Sequence, residues 1–429
     1  MDSTNLDRWL AGRMGRDTVP SGRELRDWQL ERLRDLVDHA KIGSPFYARH
    51  LNGISGADLD SLEAFSRLPE IGPEELRSDP DALLSVSRDD IERVVTLSSS
   101  GTTGEPKRIF HTADDLEATT DFFGWGMSNM VGPGETALIL LPGMRPGGVG
   151  RLLDEALSRH GSRAISHGEM TDADAAVSQC LAAKAACIVG SPAHVNLFAH
   201  AWTARGLPRG VIRSALLCWD VIPEAVCSNV AERLGCGVFR HWGMIETGLG
   251  GAVECAPGSG MHLRETDVFV EIVDPYTGRL LPDGEFGDMV VTTPLKMGMP
   301  LIRYRTGDVG RILPGDCVCG SPLRRLDPLV RRRRGGVMFA SGILSLWELN
   351  EVVYGTPGVA DFAAWLDGDT LRLVVCGDAS CEAVSKALGT LPAVANGLAA
   401  GALRVDIENR HGAVPAVPGL DKRRIVIGS

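Results

Sequence analysis

Apolar positions first recur with helical spacing between residues 22 and 40. Leu25, Trp28, Leu33, Leu36 and Val37 alternate there with charged residues, which predicts a helix. The stretch Ile91–Leu97 is rich in β-branched residues and alternates with period two, which predicts a strand. From about residue 90 to 250, strand-like runs alternate with helical ones. Ala137–Leu141 reads as a buried strand, Ala182–Val189 closes a helix and enters another strand, and Ser214–Cys218 is a third. This alternation predicts an α/β fold. Residues 266–312 change character: Val268–Val273, the turn Asp274–Gly278 and Met289–Thr293 read as strand, turn, strand, a β-rich region closing the larger domain.

The run Arg331–Arg334, followed by Gly335 and Gly336, predicts a linker. Beyond it come a helix at Trp347–Val353, a strand at Leu371–Val375 and a helix over 381–389. The expected division is a large domain over 1–330, a hinge at 331–336, and a small α+β domain over 337–429, of about 95 residues and large enough to fold alone. No internal repeat is visible, and Ala393–Ala402 is Ala/Gly-rich but short.

Bulk properties narrow the function. A 429-residue chain with 44% hydrophobic residues can bury sizeable cores. A net charge of −11 argues against nucleic acid as a partner, and the four-arginine run reads as a solvated linker or phosphate contact. No stretch is apolar enough to span a bilayer, and the polar start Met1–Asp7 lacks a signal-peptide core, so a cytoplasmic protein is expected. Its ten cysteines are then expected to be reduced, and a tight cluster among them to bind metal. Self-association as a homodimer stays open.

The densest chemistry lies in Ser98-Ser99-Ser100-Gly101-Thr102-Thr103-Gly104-Glu105-Pro106-Lys107, directly after the predicted strand. A Gly-rich loop leaving a strand can turn several N–H groups inward around an anion, and hydroxyls and a lysine add donors and charge. The pattern suits nucleotide phosphates, although the order of a Walker A loop is absent. A second cluster is Cys255, His262, Cys317 and Cys319. Cys317 and Cys319 form a tight pair beside Gly320, and Cys255 and His262 flank a Pro/Gly turn. Three thiolates and an imidazole suffice for a closed tetrahedral structural Zn²⁺ site, although the spacing is not that of a zinc finger. The remaining cysteines sit mainly in apolar runs and read as small core residues.

The loop 98–107 resembles the signature loop of the adenylate-forming enzymes: acyl-CoA synthetases, peptide-synthetase adenylation domains and luciferases. With Ser44-Pro45-Phe46-Tyr47 and Leu68-Pro69, the chain looks most like the phenylacetate–CoA ligase branch, over a span from about residue 30 to the C-terminus. The resemblance implies ATP-dependent activation of a carboxylic acid, aryl in this branch, as an acyl-adenylate. Transfer to the thiol of CoA follows, with Mg²⁺ neutralising phosphate oxygens. It also implies a mobile C-terminal lid.

Site residues follow from the same resemblance. The loop, with Thr102, Thr103 and Lys107 foremost, is expected to hold the pyrophosphate end of ATP. His241-Trp242-Gly243-Met244-Ile245-Glu246-Thr247 resembles the aromatic-Gly-x-x-Glu segment, which makes Glu246 the Mg²⁺ carboxylate and Thr247 an α-phosphate contact. Arg303-Tyr304-Arg305-Thr306-Gly307-Asp308 resembles the Y-R-T-G-D motif, with Asp308 on the ribose hydroxyls. Lys422, near the C-terminus, fits the lysine that stabilises charge on the α-phosphate. Similar Cys/His/Cys-x-Cys sets occur in some phenylacetate–CoA ligase-like proteins.

The chain also departs from the pattern. Trp242 stands where Tyr is usual, and Asp421 where Gly precedes the lysine. Cys218-Trp219-Asp220 replaces a Gly-rich stretch ending in Glu. Its Trp219 could stack on adenine, narrow the acyl pocket or fill a core. Arg332 or Arg333 can serve as the hinge arginine, and Gly342 and Glu351 fit downstream, but the hinge Asp is missing. Two alternatives therefore stand: transfer to a carrier-protein thiol or an amine, and an inactive homologue that only binds ligand.

Overall fold

The computed structural model describes residues 4–97, 106–143, 147–333, 335–339, 342–410 and 423–428. The predicted loop residues 98–105 and the predicted catalytic Lys422 lie outside these. The chain divides into two compact units. One is built from residues 1–134, 143–163 and 239–333, the other from 135–142, 164–238 and 334–429. Together they give the expected mixture of helices and sheets, and no helix of the described residues is long and apolar enough to cross a membrane.

In the first unit, Ser21 caps the helix Gly22–Gly43 reciprocally with Glu24, and Leu25, Leu33, Leu36 and Val37 form its buried stripe. The strands Ile91–Leu97 and Lys107–Thr112 pair antiparallel, with Leu97 opposite Lys107. Thr112 ends the second strand and caps the helix Ala113–Met127 with Asp115 as its partner, so strand and helix follow without a loop. Phe269–Val273 and Gly287–Thr292 pair antiparallel, in line with the strand, turn, strand reading, and Tyr304–Gly310 adds a third strand that the reading did not include. Arg331–Arg332 adds a short fourth strand by pairing with Asp308 and Val309. A further antiparallel set runs Gly237–Trp242, Ala252–Glu254, Met261–Leu263, Arg325–Leu326, Ile312–Leu313.

In the second unit, Thr136–Leu140, Cys187–Gly190 and Ser214–Leu217 pair in parallel and are wholly buried, which explains their unbroken apolar runs. The C-terminal part carries a mixed sheet. Val359–Asp367 and Thr370–Gly377 make a hairpin, Arg404–Arg410 joins one edge and Ile425–Ile427 the other. Pro392–Ala399, within a stretch with no clear sequence signal, is a helix with Pro at its first turn. Glu351 caps the helix Glu224–Leu234 by accepting from the N–H groups of Glu224 (2.6 Å) and Ala225 (3.0 Å). Asn196 donates to the Ala360 carbonyl at 2.7 Å. The described residues beyond 334 therefore pack on the helices after the parallel strands, within one apolar core. Cys381, expected in a core, is exposed at the start of its helix. Cys180, Cys187, Cys218, Cys227 and Cys376 are buried. Trp219 is half-buried with φ of 80°, a left-handed conformation unusual for a bulky residue.

Candidate active site and metal centre

Glu246 sits in a short helical turn, Ile245–Thr247, just past the strand that ends at Trp242. The chain can turn so sharply because residue 243 is glycine. A Cβ there would lie 2.3 Å from the Leu249 carbonyl oxygen. Glu246 is 2% exposed. Lys107, the last residue of the predicted phosphate loop and the first of its strand, forms an ion pair with Glu246 Oε1 at 2.5 Å, and the Tyr304 hydroxyl donates to the same oxygen at 3.3 Å. Burial pushes the Glu246 carboxyl up, but the Lys107 ammonium more than offsets it, and the group stays below the usual carboxylate range. Tyr304 moves upward, through burial first and the Glu246 charge second.

Asp308 lies on the strand Tyr304–Gly310. Its Oδ2 accepts from the Trp242 indole at 3.3 Å and its Oδ1 faces Arg332 Nη1 at 3.2 Å. Two donors thus hold the expected ribose carboxylate, one from each of two predicted motifs. The two hinge arginines part ways. Arg332 also donates to the Thr306 carbonyl at 2.9 Å, whereas Arg333 turns to Asp288, which Arg305 engages at 2.8 Å. Thr247 spends its hydroxyl on its own turn, donating to the Met244 carbonyl at 3.0 Å. His241 packs edge-on to Phe123, and burial lowers its imidazole to about 4, so it is neutral at pH 7.

Sequence reasoning singled out Glu246, Asp308, Trp242 and Lys107, and the structure groups them as Lys107 with Glu246 and Trp242 with Asp308. It missed the role of Tyr304 and the buried Arg303, which sits at φ 52° and pairs with Glu271 at 3.2 Å and Glu70 at 3.3 Å. Both belong to a motif that was quoted whole but used only for its Asp.

The cysteine cluster lies at one end of the antiparallel set. Cys255 follows Ala252–Glu254, His262 is central in Met261–Leu263, and Cys317 and Cys319 lie between Ile312–Leu313 and Arg325–Leu326. Their ligand atoms all fall within 4.8 Å of one another. Cys255 Sγ lies 3.7 Å from Cys317 Sγ, and Cys319 Sγ 3.3 Å from His262 Nε2. Thiolates about 2.3 Å from a tetrahedral Zn²⁺ stand about 3.8 Å apart, so the donor set fits. His262 Nδ1 faces the Leu323 carbonyl at 3.2 Å, the backing contact that directs Nε2 at a metal.

Residues 58–299 match the AMP-binding enzyme family. The chain is 31% identical over 325 residues to a phenylacetate-coenzyme A ligase of Thermus thermophilus, covering 71% of this chain and 69% of that one. A second phenylacetate-coenzyme A ligase, from Pseudomonas putida, is 29% identical, covering 68% of this chain and 67% of that one. A 2-hydroxyisobutyryl-CoA ligase in its postadenylation state superposes with a TM-score of 0.78 at 20% identity, over 95% of this chain and 90% of that one, which establishes the shared fold. Sequence, fold and site converge: the chain belongs to the AMP-binding family of adenylate-forming enzymes and is a relative of the phenylacetate-coenzyme A ligases.

Proposed function

We propose that the protein is an ATP-dependent, AMP-forming acid–thiol ligase that activates an aryl carboxylic acid and passes the acyl group to the thiol of CoA. The observation that carries this reading is the buried Glu246, held by Tyr304 and by Lys107, which opens the strand that the predicted phosphate loop enters.

In the first half-reaction a carboxylate oxygen attacks the α-phosphorus of ATP, the bond to the bridging oxygen breaks, and pyrophosphate leaves. Two anions must meet, so positive charge and alignment are the protein's main contribution. Lys107 supplies charge where the loop enters its strand. Asp308, oriented by Trp242 and Arg332, accepts from the ribose hydroxyls and fixes the nucleoside. Glu246 is the carboxylate that would hold Mg²⁺, which when bound neutralises phosphate oxygens. Lys422 is assigned to the α-phosphate charge. In the second half-reaction the CoA sulfur attacks the acyl carbon and AMP leaves. Cys255, His262, Cys317 and Cys319 would hold a structural Zn²⁺ that joins the strand Met261–Leu263 to its neighbouring loops and takes no part in the chemistry. The reduced thiols suit a cytoplasmic enzyme.

The test is acid-dependent ATP–pyrophosphate exchange over a panel of aryl and short-chain acids, with and without CoA. An acid that drives exchange and yields a thioester only with CoA supports the proposal. An adenylate that ignores CoA shifts the acceptor to a carrier protein or an amine. Silence across a broad panel sinks the adenylation reading.

A further inference from the structure

Lys296 lies in the loop between Gly287–Thr292 and Tyr304–Gly310. Its N–H closes a turn onto the Thr293 carbonyl at 3.2 Å. Two residues on, Gly298 presses against the start of the helix Ala113–Met127, where a Cβ would stand 2.6 Å from Thr112 Cγ2. The loop is therefore clamped beside the strand that carries Lys107 and His111. The Lys296 side chain turns inward. The residue is 7% exposed, and its Nζ has no hydrogen-bond partner among the described residues.

A buried ammonium without an acceptor is costly, and nearby carboxylates usually turn to meet it. Here neither does. Asp115 accepts from the Thr112 N–H at 2.9 Å as a helix cap, and Glu246 is engaged by Lys107 and Tyr304. Both carboxylates act on Lys296 only through space, against the lowering of its pKa by burial. His111 adds a second buried nitrogen without a partner. It is 2% exposed, its Nδ1 is unpartnered among the described residues, and burial with the charges of Lys296 and Arg93 keeps it neutral. Arg93 stands opposite His111 in the strand pair. Among the described residues, the Lys296 ammonium is thus a buried charge with no acceptor of its own.

We propose that Lys296 is a polyphosphate-binding residue, its ammonium donating to an oxygen of the pyrophosphate that leaves ATP. This rests on the adenylation reading above. Phosphate is favoured over the acid's carboxylate because Lys107, at the end of the predicted phosphate loop, is bonded to the same Glu246 whose field reaches Lys296.

The experiment measures binding of ATP, AMP and inorganic pyrophosphate to the wild-type protein, Lys296→Met and Lys296→Arg, with melting temperatures of the ligand-free forms. Lys296→Met is expected to weaken ATP and pyrophosphate about tenfold to a hundredfold, the scale of a charged hydrogen bond. AMP should stay within about twofold. The ligand-free variant should melt no lower than wild type, since a buried unpaired charge has gone, and Lys296→Arg should recover part of the pyrophosphate affinity. ATP and AMP weakening together, with a lower melting temperature, would mean a structural role and overturn the proposal. So would unchanged ATP binding with a raised KM for the acid, which would place the ammonium on the carboxylate. Wild-type protein that binds pyrophosphate through Lys296 but never forms an adenylate would keep this proposal and sink the adenylation reading. Vigorous exchange by Lys296→Met with wild-type ATP kinetics would do the reverse.

Discussion

The indole N–H of Trp242 donates to Asp308, 3.3 Å away and 66 residues on in the chain. Its partner on the other oxygen, Arg332, has a side chain 42% exposed, so that ion pair contributes little by itself. Trp242, itself buried, is the better shielded of these two partners. Trp242→Phe keeps the ring and removes the donor. It is expected to raise the KM for ATP about three- to tenfold, the scale of one ordinary hydrogen bond, with kcat much less affected. Arg332→Ala should cost less. Steady-state exchange kinetics check both. Equal, negligible effects would show that Asp308 holds its orientation without either donor.

The Lys107–Glu246 pair makes a pH prediction. The folded-state pKa of Glu246 lies below its ordinary value, so its contribution to stability is present above the unfolded pKa and is lost as pH falls through the folded one. In wild type that loss lies on the acid side of the usual glutamate range. Lys107→Met removes the charge that opposes burial. Glu246 then rises above its ordinary value, and the pair's contribution turns into a penalty that grows as pH rises toward neutrality. Breaking a buried pair from one side costs about 3–5 kcal/mol. Melting temperature against pH should therefore fall toward neutral pH in Lys107→Met relative to wild type. Parallel curves for the two proteins would contradict the assigned coupling.

For the metal centre, the purified protein is expected to carry one Zn²⁺ per chain, lost in Cys317→Ser. His262 and His241 both pair with Val253, one on each side, so the metal end of the set and the active-site strand share a row. Loss of the metal should lower the melting temperature by several degrees, about 2–4 °C per kcal/mol for a unit of this size. The KM values should move less than the stability. Elemental analysis with calorimetry decides, and a metal-free wild type that melts as high as any preparation would remove the staple.

Much of this site was legible because its chemistry sits in contiguous runs. The segment 241–247 and the run 303–308 each announce themselves, and so does the pair Cys317 and Cys319 beside Gly320. Elements with clean periodicity, such as Gly22–Gly43 and Ile91–Leu97, also emerged where predicted. What stayed hidden depends on contacts across long sequence separations. Nothing local in Lys107 points 139 residues ahead to Glu246, and nothing in Pro294-Leu295-Lys296 says that the lysine turns inward. The helix Pro392–Ala399 was missed because alanines and a glycine carry little periodic contrast, although alanine favours helix. Arg331–Arg332 carries no strand signal either. It becomes a strand through its ladder with Asp308 and Val309.

The last prediction concerns Arg423, the neighbour of Lys422 in sequence. Its N–H donates to Asp220 at 2.9 Å, and its guanidinium engages Asp361 and the Phe362 carbonyl. The same group lies over the rings of Phe362 and Tyr354, at 4.8 and 5.5 Å from their centroids. Burial works against the guanidinium charge, and the Asp361 carboxylate more than offsets it. Asp220, one of the residues that depart from the family pattern, thus gains a physical role as an anchor for the C-terminal segment. Arg423→Ala leaves Asp361 in a site only 13% exposed without its cation, at a cost of about 3–5 kcal/mol. Both melting temperature and adenylation should fall, while ATP binding persists. If the proposed role of Lys422 holds, Lys422→Ala should abolish most adenylation while ATP still binds. The contrast separates chemistry from positioning: if Arg423→Ala melts lower yet exchanges pyrophosphate at the wild-type rate, the anchor does not govern how Lys422 is presented.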